Sequence, residues 1–493
     1  MKNQPTTIKS GALPRVLRAT CIAGLLPALV LLFSIQSSQA GSATWNLNPT
    51  SGDWNKASNW TPSTVPHGSA DTATFGVSNI TQVSASVPYP FAVDSIVFNP
   101  GASAFTITKE PNDNALVISG AGITNNSGIT QNFAVAVDAF GGYGGIIFSN
   151  NATAGSLTVI TNYGAMEDGA SIGGFTEFDD TSSAGNSTIT SNGGAAGDYT
   201  GGGSTTFIGA STAANATLIA NGGAVFGANG GTILFLGASS GGTARVEIFG
   251  NGRLEMFYHD LPGIAIGSIE GDGVLSLGAN NLTVGSNNLS TTFSGQIFGY
   301  PGSFIKVGAG TLVLAGFGSS YTGGTTIKGG KLVVNNMIGS GTGTGAVQVN
   351  AGTLGGRGTI AGAVTVGTGS GAGAVLAPGR RGGKPGNPLT IKSKLTFNSD
   401  ATYNCGLNTK GATADQVAAN GVTINNAFFF FVVGGHRVLP PGTVFTVIRN
   451  TAATPIAGTF SNLVDGSTFA THGNTFQVSY EGGDDNDLTL TVQ

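Results

Sequence analysis

Apolar residues return at every second position in runs of three to five, and glycine breaks each run. In "GTLVLAG" (310–316), Leu312 and Leu314 face one way and Thr311 and Val313 the other. The same alternation places Ile327, Leu332 with Val334, Val347 with Val349, Leu354, Ile360, and Val364 with Val366 on one inner face. Between these runs stand Gly308 and Gly310, Gly323-Gly324, Gly329-Gly330 and Gly355-Gly356. Strands this short cannot bury a face alone, whereas stacked coils of them can.

A longer period runs upstream. Phe148, Phe178, Phe207 and Phe235 fall 30, 29 and 28 residues apart. Small residues follow each at the same offset: Ala154-Gly155, Ala184-Gly185, Ala213-Ala214 and Gly241-Gly242. Thr- or Val-rich runs come next ("STIT", "ATLI", "RVEI"), and each unit reaches an Asn: Asn162, Asn192, Asn221 and Asn251. Asn tolerates positive φ, so these four are expected to be turn residues. The pattern predicts an all-β fold, a right-handed parallel β-helix (a β-solenoid) with a cap at its N-terminal end and a β element at its C-terminal end. At ~4.8 Å per coil, about fifteen coils make a rod of roughly 70 Å. A β-sandwich array would need longer strands and hairpin signals, which are sparse.

Composition supports many strands and tight turns. The chain has 493 residues, 82 Gly and 9% charged residues, against about 25% charged in an average soluble domain. Residues 1–40 read as a signal peptide, with cleavage after Ala40. Lys2, Lys9, Arg15 and Arg18 precede an apolar stretch from Cys21 to Ile35, and Ser38-Gln39-Ala40 supplies small residues at the cleavage positions. That stretch falls short of the ~20 residues needed to span a bilayer. Removing it takes four of the 20 basic residues and no acid, leaving 16 Lys+Arg against 24 Asp+Glu, a net of −8. The mature chain is therefore expected to have no membrane span, to bind no nucleic acid, and to be secreted to the periplasm, the cell surface or the medium. Cys405 is then the one remaining cysteine, expected buried and inert.

The rest divides into 41–140, the N-terminal cap and first strands; 141–377, β-helix repeats; 378–388, an exposed loop; and 389–493, a C-terminal β region and cap. All three Trp (Trp45, Trp54, Trp60) lie in the first of these, where large apolar residues suit a cap against edge-to-edge pairing. In "AFFFFVVGG" (427–435) alternating Phe would point to both faces, so both are expected to be covered.

The stretch 302–336 carries "GAGTLVLAG", "YTGGTTI" and "GGKLVVNN". It resembles the autotransporter-associated β-strand repeat, also called the passenger-associated transport repeat. The residues that define the likeness are Gly308, Gly310, Leu312, Leu314, Tyr321, Thr322, Gly323, Gly324 and Leu332. "TWNLNPTSGDWNKASNW", "GSIEGDGVLSLGANNLTVGS" and the ending "VSYEGGDDNDLTLTV" are similar to elements of the same proteins. The resemblance implies an exported bacterial β-helix of the passenger type. It implies little about activity, since passengers include adhesins, scaffolds and enzymes. The membrane barrel of autotransporters needs a run of ~10-residue alternating strands, and none is read here.

Candidate chemistry is thin, and no catalytic residue, cofactor or metal is assigned. Glu177 and Asp179 would share a strand face about 7 Å apart, with Asp180 beginning a turn. Arg253, Glu255, His259 and Asp260 form the densest mixed-charge cluster, read as a structural corner. Glu270 and Asp272 read as turn residues. Asp484, Asp485 and Asp487 are weak Ca²⁺ candidates in "GGDDNDLTL", which departs from a calcium-binding nonapeptide repeat. His67, His259, His436 and His472 are far apart in sequence, without zinc spacing. Lys306, before a Gly-rich turn, superficially suits a phosphate loop and is expected to point outward instead. The Gly-x-Gly-x-x-Ala matches at Gly341 and Gly369 lead into no amphipathic helix. Arg380, Arg381 and Lys384 offer charge to an acidic glycan.

These readings predict a non-enzymatic, adhesin-like or envelope-scaffold solenoid, with glycans or envelope components as partners and lateral self-association available to its long faces. The alternatives are a polysaccharide-active lyase or glycosidase on a β-helix, or a carbohydrate-binding accessory module. Convergence of three or more charged groups in one groove would weigh against a plain scaffold.

Overall fold

A computed structural model describes residues 41–86, 91–111, 114–371, 373–379 and 388–493. The signal-peptide reading (1–40) and Arg380, Arg381 and Lys384 lie outside those residues. The described chain is a β-solenoid of about 14 turns built from parallel sheets. A 12-stranded sheet runs from Trp60–Thr61 to Gln296–Phe298, and a 16-stranded sheet runs beside it from Gln82–Ala85 to Thr413–Ala414. An eight-stranded sheet begins at Gly263–Ile266.

The Phe period is a ladder. Phe148, Phe178, Phe207 and Phe235 are register partners on successive coils. Their rings stack at centroid distances of 4.8, 4.9 and 4.8 Å, within 9° of parallel. All four are fully buried. Ring spacing equals the inter-strand distance, so each ring meets the next without disturbing the backbone ladder.

The corner after each Phe is made by two left-handed residues per coil. The first lies two positions on: Asn150 (φ 55°), Asp180 (54°), Gly209 (65°) and Gly237 (58°). The second is the latter of each small pair: Gly155 (73°), Gly185 (61°), Ala214 (49°) and Gly242 (56°). The four expected Asn turn residues are not among the positive-φ positions. They work through their side chains. Asn162 is buried and donates to Ser204 O at 2.7 Å, and Asn221 donates to Asn192 Oδ1 at 2.9 Å. Asn251 donates to Ala228 O at 2.7 Å. An amide can bridge neighbouring coils whatever its own φ.

Coils shorten along the chain. Register partners are 30, 29 and 28 residues apart at the Phe ladder. They are 20, 22 and 22 apart at Leu312–Leu332, Leu332–Leu354 and Leu354–Leu376. Here the inner face is the Leu and Val ladder read from the sequence, and all of Leu312, Leu314, Leu332, Val334 and Leu354 are buried.

Both ends close with aromatic residues. Trp45, Trp54 and Trp60 are buried, with the Trp45–Trp60 and Trp54–Trp60 centroids at 5.0 Å. Each indole N–H finds a carbonyl, respectively Ile80, Pro66 and Trp54, as a buried Trp requires. The strand Trp60–Thr61 pairs antiparallel with Ala43–Trp45 and ends the first sheet. At the other end Phe428–Gly434 pairs with Ala401–Asn408. Phe429 is buried, but Phe428 and Phe430 are 46% and 49% exposed. The expectation that both faces of this strand are covered therefore fails. The C-terminal turns and hairpin cover only its inner face: Phe429 packs on Phe460, and Phe431 packs on Phe469 and Phe476. The Asn462 amide accepts from Phe429 N–H and donates to Phe429 O, both at 2.8 Å, standing in for a further strand.

Candidate functional site

The repeat-defining residues sit where coils touch. Tyr321 is buried, and its hydroxyl pairs with Thr325 Oγ1. Burial pushes its phenol well above the ordinary range. Gly323 lies against the Pro301 carbonyl and Gly310 against the Leu289 carbonyl, so a Cβ at either would collide with the coil beneath. Gly308 (φ 69°) and Gly324 (φ 90°) are also left-handed, which only glycine adopts without cost.

Lys306 corrects its expectation. It is 1% exposed and points inward, in phase with Phe304. Its ammonium donates to the carbonyls of Val307, Gly308 and Gly329, the last two at 3.3 and 3.4 Å. Burial lowers its pKa. Lys109 repeats the device, buried at a strand end and donating to Glu110 O at 2.6 Å. The glycine-rich loop at Gly369 does cradle an anion, but an internal one. The N–H groups of Thr368, Gly369 and Gly371 donate to the Asp400 carboxylate at 3.0, 2.7 and 2.9 Å. Desolvation works upward on Asp400, yet those donors outweigh it and hold its pKa below the usual value.

The sequence clusters separate. Glu177 and Asp179 do share a side, close enough for a carboxyl–carboxylate hydrogen bond. Burial, then repulsion from Asp179, pushes Glu177 up to about 7. Asp180 accepts from Asn150 N–H at 2.9 Å. Arg253 and Glu255 form an ion pair at 3.6 Å, while His259 contacts only the carbonyls of Asp260 and Ser239. Glu270 is not a turn residue: it lies in the strand Ser268–Gly271, beside Glu247, and pairs with Arg245. Asp272 holds Gly250 N–H at 2.7 Å. Asp487 begins the last strand and accepts from Asn450 N–H at 2.8 Å, and Asp485 is a left-handed turn residue (φ 75°). Among the described residues no three His, Cys, Asp or Glu side chains group to hold a metal ion. His436 and His472, remote in sequence, have ring centroids 5.6 Å apart, brought together by C-terminal loops outside the coil repeat. Cys405 is buried, and burial pushes its thiol well up.

The cavity of consequence lies where the short coils meet the C-terminal region. It is an open groove of about 1320 Å³. Its floor is the outer face of the second sheet, with Val313, Val333 and Thr353 on three successive strands and Val375 and Ala377 on the next. Its wall comes from the turn at Lys410, from Val432 and Val433, and from Val444 to Thr446. Lys331, Arg357 and Lys410 line it, and none of them forms an ion pair among the described residues. Among the described lining residues the one carboxyl is Asp415, which accepts from Gly406 N–H at 3.2 Å and is pushed up by burial. Three cations against one tied carboxyl oppose the acidic balance of the whole chain. Sequence reading missed this groove. Lys331 opposes Thr353 at one end of the strand pair and Arg357 follows Gly356 at the other, so the register brings both to one groove, and Lys410 arrives from the wall.

Residues 304–334 match the family described as Passenger-associated-transport-repeat. They span four strands, from Phe304 in the first to Val334 in the last. The Adhesin BmaC autotransporter of Brucella suis biovar 1 (strain 1330) is 37% identical over 115 residues, which is 21% of this chain and 3% of that protein. The likeness therefore touches a small part of a far longer chain.

Proposed function

We propose that this chain, which carries a passenger-associated transport repeat, acts at the cell surface or outside it as an adhesin-like β-solenoid that holds an acidic polysaccharide in its C-terminal groove. The repeat and the adhesin relative support the surface role. No helix among the described residues is long and apolar enough to cross a membrane.

The observation that carries the ligand class is that Lys331, Arg357 and Lys410 all line one groove with a floor of Val313, Val333 and Val375. Unpaired cations in a partly shielded groove attract a polyanion more strongly than they would in open water. Aliphatic side chains suit the CH faces of sugar rings, and the open groove suits a chain that passes through. This arrangement argues for a binding protein over an inert scaffold. It binds without turnover in this reading. Hydrolysis of a glycosidic bond uses two carboxyls facing each other across it, and among the described lining residues Asp415 is the one carboxyl, already bonded to Gly406.

The test is adherence. Cells lacking the protein should lose attachment to surfaces coated with an acidic polysaccharide. The wild-type chain should restore it, and the Lys331→Ala/Arg357→Ala/Lys410→Ala variant should not. Equal restoration by both would remove the groove from the function. Release of reducing or unsaturated ends by the purified chain would turn the reading to the enzyme alternative.

A further inference from the structure

A second surface, remote from the groove in the chain, is its chemical opposite. Four successive coils leave the second sheet and return to the first through long turns, at residues 136–144, 163–174, 192–203 and 221–231. The last three of these turns are stacked on one another, and 136–144 closes on itself through Asp138 N–H to Gly142 O at 3.0 Å. Ala195 N–H donates to Ala165 O at 2.8 Å, Ala224 N–H to Gly194 O at 2.9 Å, and Asn229 N–H to Thr200 O at 2.9 Å. The Asp198 carboxylate lies against Gly227 of the next coil. The tips are therefore an ordered ladder ~4.8 Å per step.

The tips present apolar side chains to water. Phe226 is 100% exposed, Phe140 92% and Tyr199 78%, and Met166, Ile172 and Val225 are also exposed. An exposed apolar row in a chain with so complete a core marks an interaction surface. Backbone conformation adds an independent sign. Gly169, Tyr199 and Gly227 occupy one left-handed turn position on consecutive coils, at φ 80°, 63° and 87°. Two coils use glycine there, while the middle coil holds a tyrosine in a conformation costly to any residue with a Cβ. Its ring gains no burial in return. Strain kept without a structural return points to a contact outside the chain.

Charge selects the partner. The turns carry Asp138, Glu167, Asp168 and Asp198 and no Lys or Arg. None of the four forms an ion pair among the described residues. Acidic glycans and anionic lipid surfaces are repelled by such a row, and the apolar tips call for apolar side chains opposite. We propose that this ridge is a docking surface for a polypeptide that presents cationic and apolar side chains together on one face. The proposal stands apart from the groove, whose ligand has the opposite charge.

The experiment measures fluorescence anisotropy of a labelled Lys/Leu amphipathic peptide, and of its Glu/Leu counterpart, titrated with the purified chain at low and high salt. The Lys/Leu peptide should bind and weaken with salt, and the Glu/Leu peptide should not bind. Phe140→Ser with Phe226→Ser should weaken binding at least about tenfold, and Asp168→Asn with Asp198→Asn should flatten the salt dependence. Tyr199→Gly should raise the melting temperature while weakening binding, a pairing that a structural role for Tyr199 does not produce. Equal binding of the two peptides, or unchanged binding by the Phe140/Phe226 variant, overturns the proposal. A ridge variant that alters the chain's own sedimentation but not peptide binding assigns the face to a second copy, and overturns it too.

Discussion

The solenoid is two constructions end to end. At the Phe ladder a coil takes 28 to 30 residues, and in the passenger-repeat region 20 to 22. Both form the same parallel ladders over an apolar interior. The long coils spend their extra residues at the corner after each Phe (149–155, 179–185, 208–216, 236–244), and their other turns carry the acidic, apolar ridge. The short coils keep turns as long, at 315–324 and 335–346, with Phe317, Met337 and Ile338 exposed, and shorten the other corner to three and two residues (328–330, 350–351). Their corners are glycines pressed against the coil below, their outer face stays flat, and a groove forms where the C-terminal region rises beside it. The residues saved in a short coil thus come from the corner and not from the projecting turn.

Core truncation should separate the two halves most. Phe207→Ala removes a ring stacked on both sides and is expected to cost about 3–5 kcal/mol. Leu332→Ala should lie toward the lower end of about 2–5 kcal/mol, since stacking adds roughly 0.5–1.5 kcal/mol per aromatic pair. Chemical denaturation of both variants measures this, and a larger loss for Leu332→Ala would break the contrast.

The corners should differ next. Gly330 is left-handed (φ 63°) and its missing Cβ would meet the Gly308 and Gly310 carbonyls. Gly330→Ala should cost about 2–4 kcal/mol, combining backbone strain with overpacking. Gly169 (φ 80°) has open space around it, so Gly169→Ala should cost only about 1–2 kcal/mol. Equal losses in thermal melts would mean that close coil approach contributes nothing beyond φ.

Lys306→Met should cost about 1–3 kcal/mol by leaving the carbonyls of Val307, Gly308 and Gly329 without their donor. If melting is unchanged, those bonds are not what holds the corner.

The smallest effect is a pH dependence in the long coils. Glu177 is raised from 4.5 to about 7, first by burial and then by Asp179. The folded chain therefore holds a proton that the unfolded chain releases at lower pH. Stability from this group is full below about 4.5 and falls as pH rises toward about 7. Glu177→Gln should raise stability near neutral pH by at most about 1 kcal/mol, because the pair is partly open to solvent. It should change nothing at acid pH. A loss at neutral pH would contradict the assignment.

Much of this fold was legible as period. The Phe spacing and the small pairs read out the coils, and the Leu and Val alternation read out the inner face. Lys306 shows where that reading slipped. Its alternation with Phe304 places it inside, where carbonyls at the corner satisfy its ammonium. Asn162, Asn192 and Asn221 do stand where turns begin, but positive φ in those turns falls on Gly169, Tyr199 and Gly227. The groove was not legible as spacing. Its wall at Lys410, Val432 and Val444 belongs to no repeat, and neither does the approach of His436 to His472.

The most direct measurement titrates the purified chain with an acidic polysaccharide and, in the same samples, assays for new reducing or unsaturated ends. The account predicts saturable, salt-sensitive binding that the Lys331→Ala/Arg357→Ala/Lys410→Ala variant weakens at least about tenfold, with no ends released. Cleavage of the polymer, or binding indifferent to the three substitutions, would contradict it.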